Sequence, residues 1–297
     1  MITVFTPTYN RRKLLERCYK SLLNQTDYHF EWLIVDDGSS DDTKSWINTI
    51  KSKSPFKIIY HYQTNGGKHR AHNTGVKLCK TEYFLILDSD DILANNCIEV
   101  LNSKIENIDN NDLISGILGN KFDINTKKCI GTPLPDIKYS TGLNLYQKYN
   151  FKGDTLRMYK TSILKKYLFP EIENEKFVYE NVVFDKIDTK YKFYLIKDEI
   201  YYCEYQENGY TKGASKLKLN NPKGYALSLK SAADTAVVLK KKINWTVLYI
   251  IWCRKMKIKD FGMTKNKALY LLLYPIALLF EYFKFPKFFF SIFKEVK

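Results

Sequence analysis

The chain has 297 residues, 45% hydrophobic and 27% charged, a balance that excludes intrinsic disorder and supports a sizeable core. Six scattered cysteines, with no CxxC pair, exclude metal-finger spacing. The net charge of +15 is uneven: residues 1–211 carry 29 basic and 28 acidic side chains, residues 212–297 carry 18 and 4. That split predicts a near-neutral working domain joined to a basic segment that faces a polyanion.

In chain order, residues 2–5 (ITVF) form a short β-branched run ended by Pro7. From Arg11 the apolar residues Leu14, Leu15, Cys18, Tyr19, Leu22 and Leu23 make the stripe of an amphipathic helix. A second strand spans 30–35 and closes on Asp36-Asp37-Gly38-Ser39, with a helix starting near Asp41-Asp42-Thr43. Strand three covers 56–62, a helix 69–79, and strand four 83–87. Continuous apolar strands alternating with helices predict a parallel sheet covered on both faces, with ligands beyond the strands' carboxyl ends. From 113 to 211 the pattern is mixed, with short strands at 154–160, 191–196 and 200–205 and a helix at 180–189. After Pro222, helices are expected at 225–242, 245–257 and 264–283. The change of pattern and of charge places a boundary near 211–222.

The polar clusters fall where strands end. Asp88-Ser89-Asp90-Asp91 sets three carboxylates directly after a buried strand, where they raise one another's pKa unless a cation sits among them. A divalent ion such as Mg²⁺ or Mn²⁺, shared with a substrate phosphate, resolves this; a helix cap would explain only Asp91. At Asp36-Asp37 two acids exceed what a turn needs, so Asp37 is free to accept a hydrogen bond from a ring N–H. Tyr9 is placed either to stack on a base or to pack. Asn65-Gly66-Gly67 opens a helix bearing Lys68 and Arg70, a cationic phosphate cradle that fits neither the P-loop nor the dinucleotide fingerprint. His69 and His72 suit surface or packing roles as well as functional ones. Glu180 reads equally as a first-turn residue favoured by the helix dipole or as a general base.

Taken together, TPTYNR (6–11), VDDGSSDDT (35–43), NGGKHRAHNTG (65–75), LDSDD (87–91) and EKFVYE (175–180) resemble the family-2 glycosyltransferases of the GT-A fold, over roughly residues 1–205. The resemblance implies an α/β, Rossmann-like, mostly parallel sheet with helices on both faces. It also implies inverting transfer of a sugar from a nucleotide-sugar donor, usually UDP-linked, to an acceptor hydroxyl. Carried over, Tyr9 would stack on the base, Thr6 would line its pocket, Asp37 would bind uracil and Lys68 would lie near the donor. Asp88 and Asp90 would form the DxD pair, Asp88 towards ribose or metal and Asp90 on a divalent cation (Mn or Mg). Glu180 would be the base. Many relatives carry Glu-Asp at that motif; here it is Glu180-Asn181, with Asp185 as the reserve candidate.

A catalytic domain over 1–211 is thus expected, followed by a basic, aromatic-rich helical segment over 212–297. The apolar stretch 269–280 has 12 residues, short of the roughly 20 needed to span a bilayer, and six later phenylalanines alternate with lysines. Such a segment suits an anionic membrane surface, a packed helical subdomain or an oligomer interface, and the charge favours the first. A lipid-linked glycan acceptor would give the anchor its purpose. With no signal-peptide pattern after Met1, the expected location is cytoplasmic, peripheral on the inner face of the membrane. Two other readings are a non-catalytic nucleotide-sugar binder and a basic nucleic-acid-binding protein. Strand-end carboxylates repel phosphates and argue against nucleic acid.

Overall fold

A computed structural model describes residues 1–109, 111–204 and 214–282. The first half alternates β1 (Ile2–Thr8), α1 (Arg12–Leu23), β2 (Phe30–Asp36), α2 (Thr43–Lys51), β3 (Lys57–Tyr62), α3 (Lys68–Leu78) and β4 (Tyr83–Ile86). After the aspartate cluster come β5 (Ile92–Leu93), α4 (Cys97–Lys104), α5 (Glu106–Asp109), β6 (Ile114–Asn120), β7 (Phe122–Asp123), β8 (Tyr139–Ser140) and α6 (Gly142–Gln147). The series continues with β9 (Thr155–Lys160), α7 (Thr161–Leu164), α8 (Asn181–Asp188), β10 (Lys192–Ile196) and β11 (Tyr201–Cys203). Four helices follow: α9 (Ala214–Asn220), α10 (Pro222–Thr235), α11 (Leu239–Lys255) and α12 (Lys267–Tyr282).

The main sheet has the order β3-β2-β1-β4-β9-β6-β10-β8. β1 lies between β2 and β4, with Ile2 opposite both Phe30 and Tyr83. Six strands run parallel; β9 is antiparallel to β4 and β6, and β8 to β10. Alternation within β1 splits the core. Ile2 and Val4 pack with Leu15, Cys18, Leu22 and Trp32, whereas Phe5 packs with Leu33, Ala71, Val76 and Val182 on the opposite face. Burial on both faces is why the strands read as continuous apolar runs.

A second sheet, β5-β11-β7, sits against the aspartate cluster and brings Tyr201 beside Asp91. The C-terminal helices pack in series, α10 on α8, α11 on α10 and α12 on α11. The break expected between 242 and 245 falls instead at 236–238, because the Val237 amide donates to Gln147 Oε1 (2.9 Å) and Ala236 is extended. Of the expected boundary near 211–222, residues 211–213 lie outside the described residues, as do 205–210 and 283–297, while 214–220 form α9.

Candidate active site

The carboxyl ends of β1, β2 and β4 converge on one rim. At the end of β1, Asn10 adopts a left-handed φ of 51°. Its amide donates to Ser39 Oγ (2.9 Å), and its Oδ1 accepts from the Ser40 amide (2.8 Å), stitching the first two loops together. Tyr9, beside it, is 48% exposed and available to a flat ligand.

Both acids at the end of β2 have partners within the chain. Asp36 accepts from the Ser39 amide and from the Tyr60 hydroxyl, each at 2.8 Å. Asp37, 4% exposed, accepts from Gln63 Nε2 (2.7 Å) and the Gly66 amide (2.9 Å) on one oxygen. Its other oxygen takes Asn65 Nδ2 (3.1 Å) and the Gly67 amide (2.7 Å). A carboxylate offers about four lone-pair sites, and the chain fills them. Asp37 therefore shapes the glycine turn that starts α3, and a ring N–H would have to displace one of these donors. Thr6 is fully buried, its hydroxyl accepting from Trp32 Nε1 (3.0 Å), and does not reach the rim.

The turn aims Lys68 across the rim. Its Nζ lies 2.7 Å from Asp88 Oδ1 and 3.2 Å from Glu180 Oε1, so one ammonium joins the acid after β4 to the residue at the start of α8. Burial disfavours its charge, but Asp88 and Glu180 outweigh it and lift the Lys68 pKa. Lys68, ahead of the opposing effect of burial, holds Glu180 below the usual range. Burial would raise Asp88, yet Lys68, Lys121 and Arg11 together bring it down. Glu180 keeps 60% of its side chain exposed.

Each acid of the aspartate cluster has a cation supplied by the chain itself. Lys68 serves Asp88, Arg11 Nη1 serves Asp90 Oδ2 (2.9 Å), and Lys121 Nζ serves Asp91 Oδ2 (3.0 Å). Asp91, which also accepts from Tyr201 (2.7 Å), is buried and pushed up to about 6 by that burial. Mutual repulsion thus does not by itself demand a metal, as the sequence pattern had suggested. Among the described residues no group of three or more His, Cys, Asp or Glu gathers to hold one. The carboxylate oxygens a divalent ion would have to use are those the cations leave open. Lys68 takes Oδ1 of Asp88 and Arg11 takes Oδ2 of Asp90, leaving one oxygen of each for an ion that substrate phosphates would complete.

His72 is enclosed by Phe5, Phe84, Phe169 and Phe184. Burial drives both His69 and His72 down to about 4, so neither is a proton carrier at neutral pH. Asp185 lies one turn along α8, half-buried, and is pushed up to about 7 by desolvation and by Asp188.

The Glycosyl transferase family 2 model matches residues 3–168, more than half of the chain. The chain is a family-2 glycosyltransferase. Glycosyltransferase GlyG of Streptococcus pneumoniae is 26% identical over 277 residues, 90% of this chain and 87% of that protein. GalNAc(5)-diNAcBac-PP-undecaprenol beta-1,3-glucosyltransferase of Campylobacter jejuni is 30% identical over 72% of this chain and 68% of its own. S. aureus TarS 1-349, solved in complex with UDP-GlcNAc, matches with a TM-score of 0.60 at 18% identity, covering 91% of this chain and 78% of that one. A mannosyltransferase from Pyrobaculum calidifontis, solved with GDP-Man and Mn²⁺, matches 93% of this chain and 80% of that one with a TM-score of 0.57 at 16% identity. The fold of this glycosyltransferase is accordingly GT-A, and its activity is of the glycosyltransferase class.

Arg11, Lys121 and Tyr201, which partner the aspartates, are functional candidates that only the fold brings out. Arg11 stands in the TPTYNR motif at the head of α1, and Lys121 and Tyr201 carry no local signal because their pairings span 30 and 110 positions.

Proposed function

We propose that this glycosyltransferase moves a sugar from a UDP-sugar, with inversion, to a hydroxyl of a glycan or lipid-linked glycan in surface-polysaccharide synthesis. The observation that carries the reading is Lys68, whose ammonium is shared between Asp88 and Glu180 at the strand ends. Relatives with acceptors of this chemistry support it: the Campylobacter protein above, and the poly(ribitol-phosphate) beta-N-acetylglucosaminyltransferase TarP of S. aureus, 30% identical over 67% of this chain and 63% of its own.

In this reading Tyr9 stacks on the base, and the turn organised by Asp37 carries Lys68 to the diphosphate. Glu180 takes the proton of the acceptor hydroxyl. That oxygen bonds to the anomeric carbon on the face opposite the diphosphate, while the bond from that carbon to the leaving oxygen breaks. The nucleoside diphosphate departs with the electron pair, next to Lys68 and Arg11. Asp88 and Asp90 would hold a divalent cation (Mn or Mg), which neutralises diphosphate charge when bound. Glu180 is favoured over Asp185 because Glu180 touches Lys68 and keeps 60% of its side chain exposed, whereas Asp185 is half-buried one turn along α8.

The test is thermal shift with UDP-sugars and Mn²⁺ or Mg²⁺, where saturation at one hundred times Kd should add about 2.7 kcal/mol to native stability. Asp90→Ala should abolish both transfer and donor hydrolysis. Undiminished turnover in that variant would refute the assigned role.

The same reading places the protein at the inner face of the membrane, peripherally. The described part of α12 turns Leu273 and Ala277 towards α11 and leaves Leu271, Leu272, Ile276 and Leu279 exposed, a lateral apolar stripe within the basic segment. No helix among the described residues is long and apolar enough to cross a membrane.

A further inference from the structure

The segment 175–181, which carries Glu180, is gripped from two sides. On the donor side Lys176 Nζ donates to Asn65 Oδ1 (2.7 Å). A Cβ on Gly67, at φ 97°, would fall 1.8 Å from the Lys176 carbonyl oxygen, so the segment rests directly on the turn that aims Lys68. On the other side stands α10. The Glu175 carboxylate accepts from the amides of Lys223 (2.8 Å) and Gly224 (2.7 Å) in its first turn. Asn221 Oδ1 accepts from the Lys176 amide (2.9 Å), and a Cβ on Gly224 would come within 2.3 Å of the Phe177 carbonyl oxygen.

One turn further along the same face of α10, Ser228 meets Asn181. Asn181 Nδ2 donates to the Ser228 carbonyl (3.0 Å), and Ser228 Oγ donates to Asn181 Oδ1 (2.8 Å). Ser231 Oγ reaches the Asn181 carbonyl at 3.4 Å. The amide side chain is the group this reciprocal pair requires, since it offers a donor and an acceptor together. A carboxylate at 181 would keep the bond from the hydroxyl but set an oxygen against the Ser228 carbonyl.

Resting on the reading of Glu180 as the base, we propose that α10 is part of the catalytic apparatus: Asn181 and Ser228 form a positioning pair that keeps Glu180 in register with Lys68 and Asp88. The basic C-terminal segment thus serves the chemistry through its first long helix as well as any surface it meets. Misplacing a reacting group by about 1 Å can cost on the order of a hundredfold in rate.

The experiment is steady-state transfer and UDP calorimetry on the full chain with Asn181→Ala, Asn181→Asp, Ser228→Ala and the Asn181→Ala/Ser228→Ala double variant. Each single variant should lower kcat, by about 10- to 100-fold for Asn181→Ala, with UDP affinity and Tm close to wild type. The double variant should be no slower than Asn181→Ala, because both changes remove one interaction. Wild-type kcat in Asn181→Ala and Ser228→Ala, fully multiplicative losses in the double, or UDP affinity and Tm falling alongside kcat would each overturn the proposal. Glu180→Gln separates the two readings. Wild-type turnover there sinks the base assignment, whereas an inactive Glu180→Gln beside fully active Asn181→Ala and Ser228→Ala sinks the positioning pair alone.

Discussion

Lys68 carries two interactions, one with Asp88 and one with Glu180, and removing it deprives those two carboxylates of the ammonium they share. Hydrogen bonds to charged groups contribute about 1.5–3 kcal/mol, so Lys68→Met should weaken UDP binding by roughly 10- to 100-fold, as calorimetry would record. The pH dependence should move as well. Lys68 lowers the Glu180 pKa, which keeps a base ionised to lower pH, so the acidic limb of kcat/KM should shift upward in the variant. An unmoved limb would dissociate Glu180 from the titration. At this scale the sequence was readable where polar residues cluster at a strand end: Lys68 and Asp88, from two such clusters, meet each other, and the same ammonium reaches Glu180. It was opaque where a group's partners are backbone amides. Asp37 resembles a free acceptor in sequence and is occupied four times over in the fold.

Among the elements, α8 connects the cleft to the helical segment. Its Asp185 and Asp188 are raised to about 7 and about 6, by burial first, with Arg157 opposing. A carboxyl raised on folding binds its proton more tightly in the native state. Its contribution is full below the unfolded pKa of about 3.9 and is lost as pH rises through the native value. Asp185→Asn should therefore flatten the decline in Tm between pH 5 and 8 relative to wild type; parallel profiles would show that Asp185 does not titrate there. Long periodic elements such as β1, α1, β2 and β4 were legible because both faces of the sheet are covered. The junction between α10 and α11 was not, since a side chain of α6 captures the Val237 amide and stops the helix earlier than its apolar pattern implies. The brief strands β5, β7 and β8, two residues each, are likewise set by tertiary pairing rather than by any local pattern.

For the whole molecule, the near-neutral sheet domain and the strongly basic helical segment divide the work unevenly, and the exposed stripe of α12 lies at the far end of the helical series. If the segment meets lipid, the full chain should co-sediment with vesicles rich in anionic phospholipid at low salt and be released as salt rises, each nearby Lys or Arg contributing about 1 kcal/mol. Leu272→Glu with Leu279→Glu should weaken that binding while leaving transfer to a soluble acceptor intact. Failure of the wild-type chain to sediment would remove the membrane from the account. The antiparallel course of β9 has its own consequence. Because Thr155 pairs with Asn120 at the carboxyl end of β6, the loop entering β9 arrives on the same side as Asp88, whereas the loops around it leave from there. That entering chain is itself anchored, with Phe151 buried in the core and the Lys152 carbonyl accepting from the Thr132 amide (2.8 Å), so the one strand that runs against its neighbours begins from a fixed point at the same end of the sheet as Asp88.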